Sequence, residues 1–240
     1  MDISNVTKAA RKVLKLKYCG AVIVAAGTAS RMGGIDKVMA PLGGEPMIVR
    51  TVRRFQQCDV IREIVVVTRP DLMMSVMDLC HGFDKVKAVV VGGPNRESSV
   101  HMGLNTLSKK CKLVAVQDGA RPLVSCQVID RVVQAANAFG AAAPAVPVTD
   151  TVKVADAAGL ITATPDRSTL FAVQTPQVFR ASLLREAYCQ PFNDLFTDDA
   201  SVVESLGHKI SLVEGERVNL KLTTPDDLEW AEWWLAKEGR

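Results

Sequence analysis

A run of small and basic residues follows the first strongly apolar stretch of the chain. Gly27 begins this run, Arg31 lies within it and Lys37 ends it. Small residues let backbone N–H groups approach phosphate oxygens, and the two basic side chains can neutralise a triphosphate. The run lacks both the GxGxxG spacing of dinucleotide sites and the Gly-Lys-Ser/Thr ending of the Walker motif. It predicts a phosphate-binding loop of another kind, and an ordinary tight turn with solvated basic side chains is the structural alternative.

Two later runs have a similar character. Residues 92–100, GGPNRESSV, join two glycines to the N-terminal signal of a helix, whose free N–H groups can bind an anion. Asp118 and Arg121 follow an apolar stretch, where a carboxylate can hold Mg²⁺ or orient a phosphate and an arginine can form a fork around an anion. Serine caps on a helix and a common Asp-Gly turn are the plainer interpretations of these two runs.

The composition of the chain narrows the class of protein. The 240 residues, 48% of them hydrophobic, suit one α/β domain, and the net charge of +3 does not favour a nucleic-acid partner. The six cysteines have no CxxC spacing, so they predict reduced thiols and no zinc site. No apolar run is long enough to cross a membrane, and the first seventeen residues do not resemble a secretory signal. We therefore expect a soluble, cytoplasmic protein without a membrane partner.

Apolar runs alternate with longer amphipathic stretches, which is the pattern of βαβ units and a largely parallel sheet. The predicted strands are Ala21–Ala26, Glu63–Thr68, Lys87–Val91, Lys112–Val116 and Ala141–Val148. The predicted helices are Met47–Gln57, Asp71–His81, Arg96–Leu107 and Val128–Phe139. Each chemically interesting run thus follows a strand, at the edge where α/β sheets bind ligands.

Residues 149–169 break this rhythm. Two short strands, Asp150–Val154 and Leu160–Thr164, predict a protruding hairpin that must rest on the domain or on a second subunit. The later predicted elements are helices at Ala181–Tyr188, Thr197–Leu206 and from Pro225 onwards, with a strand at Lys209–Val213. We interpret the acidic start of the second of these helices as an ordinary partner of the helix macrodipole.

Several motifs resemble those of a known family. The segments Ala25-Ala26-Gly27, Arg31-Met32-Gly33, Lys37 and Pro41-Leu42 resemble the opening signature of Rossmann-like nucleotidyltransferases, especially of the 2-C-methyl-D-erythritol 4-phosphate cytidylyltransferase family. The likeness continues in family order over about residues 20 to 236, through the two later runs to a closing signature at residues 219–227. The departures, none of which removes a required charge, are Ala29, Ser30, Val38 and Gln117.

The resemblance implies a fold, a reaction and an assembly. The fold class is α/β: a Rossmann-like three-layer α/β/α nucleotidyltransferase fold, with a mostly parallel sheet and a protruding β-hairpin arm at about residues 149–171. An extension over residues 1–19 would precede a single domain over residues 20–240. The reaction would transfer CMP from CTP to 2-C-methyl-D-erythritol 4-phosphate, giving 4-diphosphocytidyl-2-C-methyl-D-erythritol and pyrophosphate, in non-mevalonate isoprenoid biosynthesis. Mg²⁺ or another divalent cation would be the cofactor, and the arm would join a homodimer.

The family motifs also imply residue roles. The catalytic residues would be Arg31, Lys37 and Lys221. The CTP-binding residues would be Ala25, Ala26, Gly27, Gly93, Ser99 and Asp118. The acceptor-binding residues would be Asp118, Arg121, Thr151, Arg167 and Thr175, with those of the hairpin supplied to a neighbouring subunit. Asp118 would be the protein ligand of a metal held mainly by the phosphates of CTP.

Other functions remain as alternatives. A cytidylyltransferase for another polyol phosphate, such as ribitol 5-phosphate, would share the CTP motifs. A nucleotide-binding module without turnover would keep the first loop, yet would not need Asp118, Arg121 and Lys221. The missing GxGxxG spacing argues against a dehydrogenase, and the absence of a GxSxG elbow argues against a serine hydrolase.

Overall fold

One eight-stranded mixed sheet forms the centre of the protein. The computed structural model describes residues 16–27, 36–190 and 196–239. The sheet strands are β1 Cys19–Ala25, β4 Ile61–Thr68, β5 Val86–Val91, β6 Leu113–Asp118, β7 Ala141–Pro147, β10 Phe171–Val173, β11 Gln177–Arg180 and β12 Ser211–Glu214. Two ribbons lie outside this sheet: β2 Pro41–Leu42 with β3 Glu45–Pro46, and β8 Val154–Ala155 with β9 Ile161–Ala163.

The sheet is mostly parallel. Strands β6, β1, β4 and β5 lie side by side and parallel, and β12 runs parallel to β7. Strands β10 and β11 are antiparallel and pair one after the other with the same edge of β7, while β11 also pairs with β6. The carboxyl ends of β1, β4, β5 and β6 therefore meet at one edge of the sheet, where crossover loops can build a site.

Helices cover both faces of the sheet. They are α1 Met47–Gln57, α2 Met73–Cys80, α3 Arg96–Thr106, α4 Cys126–Phe139, α5 Ala181–Ala187, α6 Asp199–Glu204 and α7 Pro225–Lys237. Within the described ranges, none of these helices combines the length and the hydropathy that a membrane span needs.

Two separate cores make the fold a three-layer sandwich. The middle of each central strand is buried on both faces and is therefore a continuous apolar run, as at residues 64–67 of β4 and 113–116 of β6. Ile23 and Val66 face a core shared with α1, α2 and α4, whereas Val22 and Val67 face a core shared with α3, α5 and α6. A smaller third cluster packs α7 against the β2–β3 ribbon and the segment after β6. The predicted three-layer α/β/α architecture is confirmed.

Most of the predicted elements are present, with shifted ends. The helix predicted from Val128 begins at Cys126, because the Ser125 hydroxyl accepts a hydrogen bond from the Val128 backbone and caps the helix two residues earlier. The helix predicted from Pro225 is confirmed, with a reciprocal hydrogen-bonded cap between Thr224 and Asp227.

The hairpin arm is present, but its strands are shorter than predicted. Residues 150–153 are not a strand, so the ribbon pairs only β8 with β9, around a turn in which Gly159 has a φ of +81°. Both strands are exposed, and among the described residues they pair only with each other. The arm returns to the sheet through β10, a strand that the sequence pattern does not predict.

Candidate active site

A cavity of about 330 Å³ opens at the carboxyl edge of the sheet. This is at the lower end of the range for small-ligand pockets. The predicted site residues that line it are Ala25, Ala26, Gly27, Lys37, Gly93, Ser99, Asp118 and Lys221. The three chemically interesting runs, far apart in the sequence, therefore converge on one cavity.

The other predicted site residues lie elsewhere. Thr175 and Arg121 lie directly behind the cavity wall, against Asp118. Thr151 and Arg167 are exposed on the arm and do not line the cavity of their own chain. Arg31 belongs to the segment 28–35, outside the described residues, so its role stays a prediction.

The backbone at Gly92 lies very close to the loop that follows β1, so the first two small-residue segments are in direct contact. A Cβ on Gly92 would lie 2.6 Å from Ser99 Oγ and 2.7 Å from Ala26 Cβ, so glycine is required where β5 meets the loop after β1. The Gly93 N–H donates to Ser99 Oγ at 3.1 Å, and the Ser99 hydroxyl donates to the Asn95 carbonyl at 2.8 Å. The hydroxyl keeps one acceptor lone pair, which suits the amino group of a cytosine.

Asp118 is the electrostatic centre of the site. Its Oδ2 lies 3.0 Å from Lys221 Nζ and 3.6 Å from Arg121 Nε, and its Oδ1 lies 3.4 Å from Arg96 Nε. Burial would raise the pKa of Asp118, but Arg96, Lys221 and Arg121 together outweigh burial and lower the pKa to about 2. The carboxylate is therefore ionised at any physiological pH and fixes three cations around itself.

A hydrogen-bonded chain holds this centre in place. The Asp118 N–H donates to Thr175 Oγ1 at 3.1 Å, and the Thr175 carbonyl accepts from Asn219 Nδ2 at 2.9 Å. The Asn219 carbonyl in turn accepts from Arg121 Nη1 at 2.8 Å. Burial lowers the pKa of Arg121, and Asp118 opposes this effect. The loop between β10 and β11 and the segment before α7 thus orient Arg121 and Lys221.

Sequence reasoning missed a second carboxylate. The sequence pattern predicts that Asp199 is only a macrodipole partner, but its side chain is fully buried and its Oδ2 lies 2.6 Å from Arg96 Nη2. The Tyr188 hydroxyl donates to Asp199 Oδ1 at 2.5 Å. The two residues are 103 positions apart in the sequence, so no local pattern predicts their contact. The one signal in the sequence is that the segment GGPNRESSV contains an arginine, which needs a carboxylate partner if it is buried.

The charges of the site fit a polyanion with a divalent cation. Arg96, Arg121 and Lys221 contact the carboxylates of Asp118 and Asp199, and Lys37 lines the same cavity, so four cations face two carboxylates and leave a surplus of two positive charges. Within the described ranges, no group of three or more His, Cys, Asp or Glu side chains could hold a metal ion. Asp118 offers oxygen ligands of the type that Mg²⁺ prefers, and Mg²⁺ commonly combines one carboxylate with substrate phosphates.

The parallel α/β core, the small-residue loop after β1 and the cation-rich cavity define the class of Rossmann-like nucleotidyltransferases. The model of one family in this class, described as 2-C-methyl-D-erythritol 4-phosphate cytidylyltransferase, matches residues 19–237. The chain belongs to this family.

Individual relatives agree with this assignment. The chain is 42% identical to the 2-C-methyl-D-erythritol 4-phosphate cytidylyltransferase of Caldanaerobacter subterraneus, over 90% of this chain and 98% of the relative. It is 45% identical to the protein of the same name from Symbiobacterium thermophilum, over 91% of this chain and 93% of the relative.

Solved structures give the same result. The 4-diphosphocytidyl-2C-methyl-D-erythritol synthase of Anaerococcus prevotii superposes with a TM-score of 0.82 at 30% identity, over 92% of this chain and 96% of that one. The Thermus thermophilus 2-C-methyl-D-erythritol 4-phosphate cytidylyltransferase does so with a TM-score of 0.71 at 33% identity, over 90% and 98%. The predictions of family, fold class and a CTP-dependent cytidylyltransferase activity are confirmed.

Proposed function

We propose that the cavity at the carboxyl edge of the sheet is where this chain transfers CMP from CTP to 2-C-methyl-D-erythritol 4-phosphate. The observation that carries this proposal is the ionised Asp118, which holds Lys221, Arg121 and Arg96 around one cavity. A phosphate oxygen of the acceptor attacks the α-phosphorus of CTP, and the bond from that phosphorus to the β-phosphate oxygen breaks. The products are 4-diphosphocytidyl-2-C-methyl-D-erythritol and pyrophosphate.

The nucleophile is already an anion, so the residues need only align two polyanions and stabilise developing charge. Lys37, Lys221 and the predicted Arg31 would contact the triphosphate. Ala25, Ala26 and Gly27 would offer small surfaces and backbone groups to it, while Gly93 and Ser99 would bind the base. Bound Mg²⁺ would neutralise phosphate charge, with Asp118 as its candidate protein ligand and the phosphates of CTP as its main ligands.

The acceptor phosphate would bind beside Asp118. Arg121 is held by Asp118 on one side and by the Asn219 carbonyl on the other, so its fork has a fixed direction. The Thr175 hydroxyl accepts from the Asp118 N–H and keeps its own proton for donation to an anion. These two groups, with Lys221, would orient the attacking phosphate.

The arm would complete the site of a second subunit. Val154, Leu160 and Ile161 are 46%, 66% and 64% exposed, an unusual apolar surface for a two-stranded ribbon. A second copy of the chain that covers this surface would also receive Thr151 and Arg167, which lie outside the cavity of their own chain. We expect this homodimer to work in the reducing cytoplasm, where its free cysteines stay reduced.

Pyrophosphate release tests the function directly. The purified protein is incubated with Mg²⁺, CTP and 2-C-methyl-D-erythritol 4-phosphate, with ATP, GTP and UTP as nucleotide controls and ribitol 5-phosphate as the acceptor control. We expect release only with CTP and the methylerythritol phosphate, and a loss of about a hundredfold or more in kcat for Lys221→Gln, as for loss of one preorganised cation. Lys112→Gln, an exposed lysine at the opposite end of β6, is the matched control. Release only with ribitol 5-phosphate, or with no pair, would refute the proposal.

A further inference from the structure

Two buried residues that have no role in the proposed mechanism, Asp199 and Tyr188, hold the side chain of Arg96 on the core side of the cavity. Arg96 is the first residue of α3 and lines the cavity. Its Nη2 donates to Asp199, the first residue of α6, and Asp199 also accepts from Tyr188 at the end of α5. Asp199 and Tyr188 are 0% and 2% exposed, so these partners belong to the core under α3.

This arrangement is unlike a device for stability alone. A buried ion pair gives back most of the desolvation free energy it costs, and apolar residues of similar volume would stabilise the core equally well. These contacts instead orient the guanidinium of Arg96. Asp199 fixes one end of the guanidinium, and the Tyr188 hydroxyl fixes the carboxylate of Asp199. Burial would lower the pKa of Arg96, but Asp199 and Asp118 raise it, so Arg96 stays charged.

The geometry leaves part of the guanidinium for a ligand. Nη2 donates to Asp199 at 2.6 Å, while Nε and Nη2 reach Asp118 only at 3.4 Å. No described residue accepts a hydrogen bond from Nη1, so its two N–H groups remain for a ligand beside the GGPNRESSV loop. We propose that Asp199 and Tyr188 are positioning residues that hold Arg96 as a CTP-contacting cation. This inference rests on the proposed function.

Asp199 also limits how closely Arg96 approaches Asp118, which it contacts at 3.4 Å. Without Asp199, the guanidinium would have Asp118 as its one remaining carboxylate partner among the described residues. It would move towards Asp118, where Lys221 and Arg121 already bind. Loss of Asp199 therefore withdraws Arg96 from CTP and disturbs the carboxylate that orients the acceptor.

Direct binding of CTP tests the inference without turnover. Calorimetry with Mg²⁺ and CTP is compared for the wild type, Asp199→Asn and the milder Tyr188→Phe. We expect the Kd for CTP to rise about tenfold or more in Asp199→Asn and about threefold in Tyr188→Phe, as for lost hydrogen bonds to charged groups. Ser108→Ala, which removes a 2.6 Å hydrogen bond to the buried Glu63 at the opposite end of the sheet, is the matched control and should bind CTP normally.

A double variant separates positioning from damage to the fold. If Asp199 acts through Arg96, then Arg96→Gln and Arg96→Gln/Asp199→Asn should bind CTP equally within about twofold, because Asp199 has no guanidinium left to position. The double variant also leaves no buried carboxylate unpaired, so it guards against damage to the fold. Thermal unfolding establishes the folded fraction of each variant. Wild-type affinity in folded Asp199→Asn, or a full additional loss in the double variant, would overturn the inference alone. Absence of CTP binding by the wild type would overturn the proposed function as well.

Discussion

At the scale of single residues, Asp118 links the charge of the site to the stability of the fold. Its pKa is about 2 in the folded protein, against 3.8 for the free side chain. A lowered folded pKa gives stability that is complete above the unfolded pKa and is lost as pH falls from about 4 towards 2. The full contribution is about 2 kcal/mol, of which about 1 kcal/mol is already lost at pH 3.

Asp118→Asn removes this dependence. The free energy of unfolding in urea is measured for the wild type and the variant at pH 6 and pH 3. The other carboxylates titrate in both proteins, so the difference between the two losses isolates the contribution of Asp118. We expect the wild type to lose about 1 kcal/mol more than Asp118→Asn between these two pH values. Equal losses would mean that the three cations around Asp118 do not depress its pKa.

At the scale of elements, a glycine decides how closely α3 approaches the sheet. A Cβ on Gly103 would lie 2.8 Å from Val67 Cγ2 and closer still to Val22 Cγ1. Both valines are β-branched and have little rotamer freedom, so they cannot yield. The close approach places the N-terminus of α3, with Arg96 and Ser99, at the cavity.

Gly103→Ala sets two effects against each other. Alanine gains up to about 1 kcal/mol of helix propensity, but overpacking against two valines costs about 1–3 kcal/mol. We expect net destabilisation of about 1 kcal/mol and weaker CTP binding, measured by urea unfolding and calorimetry. Gly82→Ala is the matched control, since its Cβ would meet no atom within 4 Å and should change stability by less than about 1 kcal/mol. A stabilised Gly103→Ala would show that α3 can move away from the sheet at little cost.

The elements also explain how far sequence reasoning reaches. The central strands are predictable because the part of each that is buried on both faces is a continuous apolar run. Strand β10 is not, since it has three residues and only half-buried or exposed side chains. The cavity-lining loops were predicted from local composition, whereas the contact of Arg96 with Asp199 depends on the packing of α3 against α6, which no local pattern encodes.

At the scale of the whole molecule, the arm and the cavity are separate parts of one chain. The cavity brings together loops that follow β1, β5 and β6, while Thr151 and Arg167 are exposed on the arm and do not line it. Arg167 Nη1 donates to the Thr149 carbonyl at 2.6 Å, so the base of the arm gives its side chain a definite direction. If the arm serves the partner's site, each active site of the proposed homodimer requires residues from two chains.

Complementation between two inactive variants decides this point. Lys221→Gln impairs the cavity and leaves the arm intact, whereas Arg167→Gln impairs the arm and leaves the cavity intact. A heterodimer isolated with two different affinity tags has one subunit with an intact cavity, which receives the intact arm only if arms are exchanged. We expect such a heterodimer to recover about half of the wild-type kcat, because one of two symmetric sites is complete. If each arm serves its own chain, both sites carry a defect and the heterodimer stays as inactive as the two parents, and failure to isolate any heterodimer would contradict the proposed dimer itself.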